Sequence, residues 1–252
     1  MCCFSRPVDS VSATNIFARS GTDGRQFVVY SMTLRAPEDL AMVLPLPVKP
    51  GSGEKAVEFI SLKDYADFFT DLKKGFPVPP PPGPIARSSF GAVPASKLEV
   101  VSVGNFEASF VPTVTDFARL DERFRLPVDT WDKLHAYRDH GFAVFKLKSG
   151  NAKVHPMAFS FPRAKPAELF FPTVHIHDGE VHKDAEFDHV LYCQRGSSDQ
   201  FTLLDWDESI RPVGLFMQMP KTKGVLDSGE HCYRRTLFGT LPNKDTVLKS
   251  EA

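Results

Sequence analysis

Apolar and polar residues alternate with period two along most of the chain, and runs with helical spacing are few. Residues 25–34 (RQFVVYSMTL) set Val28, Tyr30 and Met32 against Phe27, Val29 and Ser31. Both faces are largely apolar, which predicts a central strand covered on two sides. Residues 15–19 precede it across the loop 20–24, so the pair reads as a hairpin. Residues 40–48 (LAMVLPLPV) form another strand. Pro45 and Pro47 share a face and cannot donate to a ladder, so its second half is expected at an edge or outside the sheet.

Residues 61–74 carry the clearest helical pattern. Ser61 suits the N-cap and Asp64 a capping partner, while Leu62, Tyr65, Phe68, Phe69 and Leu72 make an apolar stripe. Lys73 and Lys74 suit the C-terminal dipole, and Gly75 suits a left-handed C′ position. This stripe reads as core. Residues 77–84 (PVPPPPGP) are polyproline-like, a stiff spacer or a partner-binding segment. Beyond it come short strands at 97–103 and 108–111. A second helix runs from Asp129 or Thr130 to Asp139, with Trp131, Leu134 and Tyr137 inward. A hairpin at 141–148 and 152–161 turns at Ser149-Gly150. Further strands are expected at 187–194, 200–206, 213–219 and 236–240, a polar loop at 221–229, and frayed final residues. The fold class is mainly β (α+β): antiparallel sheets, or a sandwich or barrel, with two or three short helices. The organisation is an N-terminal hairpin-and-helix region 1–76, a connector 77–85 and a β-rich region 86–252, as separate parts or one continuous domain.

Length and charge narrow the functions. A chain of 252 residues buries a full core, and the net charge of −1 draws it neither to nucleic acid nor to an anionic membrane. Aromatics reach 12%, with 22 Phe, and the 21 Pro favour sheets and Pro-bounded loops over long helices. No apolar run approaches the ~20 residues of a membrane span. The opening MCCFSRPVDS lacks the pattern of a signal peptide, so a cytoplasmic location is expected.

The candidate chemistry lies in 170–193, which holds four of the eight histidines: His175, His177, His182 and His189. Asp178-Gly179 signals a two-residue hairpin turn. In that register His177 faces Glu180, Ile176 faces Val181 and His175 faces His182. Alternation then puts His175, His177 and His182 on one face, with Val174, Ile176 and Val181 on the other. Three converging imidazoles make a facial ligand set for one transition-metal ion, with copper or iron favoured and zinc a further choice. Glu180 stands at the edge of that face as a base. His189, on the next strand with Leu191 and Cys193, is a fourth or supporting ligand, and His155 a weaker one. The plainer alternative is a solvated histidine-bearing hairpin over an aliphatic face.

Cys2 and Cys3 carry three readings: small buried hydrophobes, thiolate ligands beside the histidines, or a nucleophile at Cys2 exposed by removal of Met1. Cys193 and Cys232 complete the four cysteines, which stay reduced in a cytosol. His135 and His140 read as structural, and His231 and Cys232 point to opposite faces. There is no phosphate-binding Gly loop, no Cys-x-x-Cys pair and no Gly-x-Ser-x-Gly elbow.

Over roughly its first fifty residues the chain resembles a family of uncharacterised bacterial proteins, often envelope-associated. The matching positions are Cys2 or Cys3, Pro7-Val8-Asp9, Ile16, Phe17 and Asp39 to Pro47. This chain departs in its missing export signal and shorter cysteine segment, and the resemblance implies no activity. The histidine hairpin is similar, as architecture, to the first cupin motif, His-x-His followed by an acid. Three functions are expected in order: a metal-dependent oxidoreductase acting on a small-molecule or peptide substrate, a non-catalytic copper- or zinc-binding protein, and an N-terminal-cysteine hydrolase. The partners expected include neither nucleic acid nor membrane.

Overall fold

The two-faced strand expected at 25–34 is the centre of the fold. The computed structural model describes residues 2–77, 101–103, 106–120, 122, 125–126, 135–177, 180–196 and 199–250. Numbered along the chain, β3 (Arg25–Ala36) pairs on one side with β2 (Ser10–Ser20). On the other it pairs with β10 (Met157–Pro162) along its first half and β9 (Gly150–Lys153) along its second. β13 (Asp184–Gln194) runs parallel to β2, and β15 (Tyr233–Pro242) antiparallel to β13. β14 (Asp207–Glu208) and β5 (Glu58–Ser61) close the margins of this eight-stranded sheet.

A second, six-stranded sheet has the order β12 (His175–Ile176), β1 (Cys2–Phe4), β4 (Leu40–Leu46), β8 (Gly141–Leu147), β7 (Phe106–Val111) and β6 (Val101–Val103). Its inner face meets that of the first sheet. Phe4, Met42, Leu44 and Phe145 pack there against Ile16, Tyr30, Phe159 and Leu191. The outer faces are covered too. Phe17, Val29 and Tyr192 lie under the aromatic stripe and under Val213 and Val225, while Cys3, Val43 and Val144 lie under Phe117, Leu126 and Tyr137. The fold is therefore mainly β with antiparallel-dominated mixed sheets and little helix, in the expected class. β1 pairs with β4 only at Met42 and Val43, so Pro45 lies where that edge of β4 has no strand partner among the described residues.

Several expected elements are corrected. The helix is α1 (Phe68–Lys74), not 61–74. Ser61 ends β5, and the bonds Tyr65 N–H to Leu62 O and Phe68 N–H to Tyr65 O make tight turns before the helix starts. The stripe is still buried as expected, because those turns keep Leu62 and Tyr65 on the side that faces Phe17 and Tyr192. The hairpin expected across Ser149-Gly150 does not form. β8 belongs to the second sheet, whereas β9 and β10 pair with β3 in the first. Strands expected at 200–206 and 213–219 are turns, with 3₁₀ segments at Val213–Leu215 and Met219–Thr222 between Pro212, Gly214 and Pro220. The C-terminal residues expected to fray form β16 (Thr246–Lys249), which pairs with β11 (Glu168–Phe171). Most of the connector, and the second helix before His135, lie outside the described residues.

Gly75 is right-handed (φ −68°), not left-handed, and its lack of a side chain serves packing. A Cβ there would run into the ring of Phe216. Gly75→Ala is expected to cost about 1–3 kcal/mol through overpacking, read as a lower thermal midpoint. An unchanged midpoint would show that the Phe216 ring moves aside freely.

Candidate functional site

β2 and β13 run side by side only from Asn15 and Val190 onward. Before that point they part. Ser12 pairs with Thr33 and Asn15 with Ser31, so Ala13 and Thr14 together face Met32. Two residues against one is a β-bulge, a feature that bends a strand and re-aims side chains. Ala13 takes the left-handed conformation there (φ 52°), which a residue with a Cβ adopts only when its surroundings hold it. The clamp is Asp188: the Ala13 N–H donates to its Oδ2 at 2.5 Å, and Asn15 Nδ2 donates to Ala13 O at 2.7 Å.

A cavity of about 580 Å³ occupies the opening. Ser10 and Thr14 line one side, and Asp184, Glu186 and Asp188 the other. His175, His177, His182 and His189 line it as well. The short β12 brings in His175. It lies parallel to β1, with Cys2 in register with His175 and Cys3 with Ile176.

Two residues of the link between β15 and β16 hold β12 in place. Asn243 accepts from the His175 N–H at Oδ1 (2.7 Å) and donates through Nδ2 to His175 O (2.8 Å) and His182 O (3.0 Å). Asp245 Oδ1 accepts from the Thr173 and Val174 N–H groups (2.9 and 3.1 Å), and its Oδ2 accepts from the Tyr137 hydroxyl (2.6 Å). No local pattern marks these contacts, since they join residues from 61 to 108 positions apart; Pro242-Asn243-Lys244-Asp245 is visible only as turn chemistry.

Three of the rings form a stack. His175 lies 4.9 Å from His177 and 4.6 Å from His189, centroid to centroid, and His175 Nε2 is 3.1 Å from His189 Nε2. Phe187 closes on His175 at 4.5 Å and Phe4 on His177 at 5.5 Å. Burial lowers the pKa of His175 to about 3, with repulsion from His177 adding to it. Burial likewise holds His189 well below the ordinary imidazole value. Both rings are therefore neutral near pH 7, and the short contact between them is a hydrogen bond with one donor and one acceptor. Asp188 Oδ1, at 3.7 Å, favours the N–H on Nδ1 of His189. That assignment makes His175 Nε2 the donor to His189 Nε2.

The sequence therefore placed the right histidines together for a partly wrong reason. His175 and His177 do share a face, Val174 and Ile176 are buried, and His189 joins the group. The hairpin ladder itself is corrected: β12 pairs with β1, no strand pairing links 174–177 to 180–183 among the described residues, and Val181 is exposed. The turn residues 178–179 lie outside the described residues. His182 is exposed at the cavity wall and is tied in through its backbone carbonyl, while Glu180 is exposed and not among the lining residues. Cys3 is fully buried with Ile176, as the plainer reading expected, and Cys2 is placed by its register beside His175. Cys193 and Cys232 are free and buried, and burial pushes both thiols up. Thr14, Asp188, Asn243 and Asp245 were not foreseen.

No family model matches the chain, and no curated protein matches it. Among solved structures it is similar to a mutated baculovirus P35 after caspase cleavage, with a TM-score of 0.50 and 11% identity over 95% of this chain and 100% of that one. It is also similar to baculovirus P35 (TM-score 0.47, 12% identity, 96% and 97% covered) and to P35 in a caspase-8/P35 complex (0.45, 12%, 95% and 96%). At this identity the likeness is one of fold. The expected description as a metal-binding oxidoreductase with copper, iron or zinc is corrected by these neighbours, which are named for P35 and its cleavage by or complex with a caspase and for no metal or redox role. Among the described residues no group of three or more His, Cys, Asp or Glu is arranged to hold an ion. No helix among the described residues is long and apolar enough to cross a membrane.

Proposed function

We propose that this chain engages a cysteine peptidase of the caspase kind as a protein partner. The observation that carries this reading is the likeness to P35 after caspase cleavage, which spans nearly the whole of both chains. The described site supports binding over chemistry. Its His175 and His189 are neutral and stacked, and the buried thiols of Cys193 and Cys232 are raised, which favours inert thiols over thiolates. A peptidase takes extended chain, and the polyproline-like run 77–84 favours extended backbone. The stretch 78–100 holds the basic residues Arg87 and Lys97 and no aspartate. The free buried thiols fit a reducing compartment, and the cytoplasm is the location this reading carries.

The test mixes the purified chain with active caspase-8 and, separately, with a caspase-like peptidase that cuts after basic residues. Expected results are a stoichiometric loss of peptidase activity and co-elution of the two proteins, with any cut located by mass spectrometry. Arg87→Ala combined with Lys97→Ala is expected to abolish a cut in 78–100 by the basic-specific peptidase. Neither binding, inhibition nor cleavage with either peptidase would refute the reading.

One observation favours a second reading, a nucleophile at Cys2 exposed by loss of Met1: Cys2 and His175 are register partners on adjacent strands. A base whose pKa is about 3 takes a thiol proton poorly, which ranks this reading second. It requires that Cys2 alkylate faster than free cysteine at pH 7 and that His175→Gln remove the excess.

A further inference from the structure

The parting of β2 and β13 leaves a feature that neither the sandwich nor peptidase binding requires. Two strands of one sheet that run parallel from Asn15 and Val190 stand open ahead of that point. Among the described residues β2 is paired there with β3 and β13 with β15, and no strand pairing spans the gap. The Ala13–Asp188 bond bridges it at a single place.

One buried atom in this cavity that can accept from a cation, Thr14 Oγ1 on a residue 1% exposed, has no hydrogen-bond partner among the described residues. His189 Nδ1, on a residue 2% exposed, is also without a hydrogen bond there, and as the N–H it calls for a carbonyl of an entering chain, not for its charge. Such groups are rare in folded proteins unless something else satisfies them. Both residues line the cavity, one on each parted strand. The bulge and the strained Ala13 are what bring Thr14 there. Bulges and left-handed non-glycine residues concentrate at functional sites.

The charge of the lining selects the ligand. Asp184, Glu186 and Asp188 stand on the wall, and no lysine or arginine does. His175 and His189 are neutral, so these two rings do not offset the carboxylates. Phe238, 79% exposed at the wall and level with Asp188 in the ladder, adds aromatic surface suited to a cation. The facing strand edges supply backbone donors and acceptors for an extended chain.

We propose that the cleft between β2 and β13 receives a lysine or arginine side chain of an extended segment from a partner protein. The ammonium or guanidinium lies toward Asp184, Glu186 and the Thr14 hydroxyl, its alkyl stem lies along Phe238, and the flanking backbone follows the open edges of the strands. This proposal does not depend on the peptidase reading, since any protein presenting a basic residue in extended chain meets its terms.

The test is an NMR titration of the full chain with acetyl-Ala-Ala-Lys-Ala-Ala-amide. Parallel titrations use its Arg, norleucine and Glu counterparts, and n-butylammonium as the cation without a peptide. The imidazole signals of His175 and His189 and the Thr14 amide are followed. The Lys and Arg peptides are expected to shift these signals to saturation, with the norleucine peptide at least ~10-fold weaker. Asp184→Asn and Glu186→Gln, both on exposed side chains, are expected to weaken the Lys peptide by roughly 2–5-fold each, more at low salt. Thr14→Val is expected to weaken it by roughly 3–10-fold, with Thr14→Ser restoring most of the loss. Equal binding of the norleucine or Glu peptide, no shift with any peptide, or indifference to both carboxylate variants would overturn the proposal. Butylammonium binding as tightly as the Lys peptide would overturn the role of the strand edges and with it the choice of a protein partner.

Discussion

Asp245→Ala is expected to lower the unfolding free energy by about 3–4 kcal/mol, in part by loosening the strand that carries His175. One carboxylate takes three donors: the N–H groups of Thr173 and Val174 and the hydroxyl of Tyr137. Thr173 and Tyr137 are buried, and burial followed by the nearby Asp245 charge holds the Tyr137 hydroxyl protonated well above its ordinary range. A buried donor left without an acceptor costs about 1–3 kcal/mol, and the partial exposure around the link places each of the three near the lower end. Asp245→Asn keeps one carbonyl-type oxygen for Thr173 and Val174 and is expected to cost about half as much. Urea-induced unfolding of the three proteins reads the series. A loss under about 1 kcal/mol for the alanine variant would mean that water replaces the carboxylate and that β12 is positioned by Asn243 and β1 alone. Because Asn243 ties His175 to His182 from the same link, the Asp245 variant is also expected to broaden the His175 and His189 imidazole signals.

What the sequence conveyed and what it hid follow one physical division. Period-two runs with apolar faces, such as Val28-Tyr30-Met32, identify strands because their burial pattern is written in neighbouring residues. Pro45 likewise announced an unpaired stretch of strand edge. The largest failures are pairings. The stretch 141–161 has the hydrophobicity of a hairpin, yet β8 pairs with β4 and β7 while β10 pairs with β3 and β5. Nothing in a strand's own residues says which sheet it joins. The histidine site shows both sides of the division. Alternation along 174–177 correctly put His175 and His177 on one face, but the partner strand is β1, more than 170 residues away, and not the run after Asp178-Gly179. Residues 213–219 read as a strand from their apolar content, and Pro212, Gly214 and Pro220 go with 3₁₀ turns there that cover Phe17 and Tyr192. The bulge at Ala13 and Thr14 had no signal, because neither residue is one that ordinarily marks a left-handed position.

Acid is expected to destabilise this fold well before its carboxylates titrate, and the histidine stack is the reason. An unfolded histidine takes up a proton near pH 6.5. In the folded chain burial lowers His175 to about 3 and holds His189 well below its ordinary value, so both stay neutral through mild acid. Between those limits the unfolded state binds more protons, so stability rises with pH, is complete above about 6.5 and falls away as pH drops. By pH 5 the fully buried His189 surrenders about 2 kcal/mol and His175, partly open to the cleft, about 1. The groups facing the pair do not reverse this: His177 repels a second charge, and Asp188 Oδ1 stands 3.7 Å from His189 Nδ1, beyond a hydrogen bond. Burial lowers His140 and His155 as well, so the wild-type slope contains their share and the comparison must be with a variant. His189→Gln keeps a polar group near His175 and removes the titration. Its stability at pH 7.5 is expected below that of the wild type, with the two curves converging by about 2 kcal/mol as pH falls to 5. Unfolding free energies from urea at pH 7.5, 6.5, 5.5 and 5 decide the point. Parallel curves for the two proteins would mean that His189 charges as readily in the fold as outside it, which a ring 2% exposed between Phe187 and His175 does not allow.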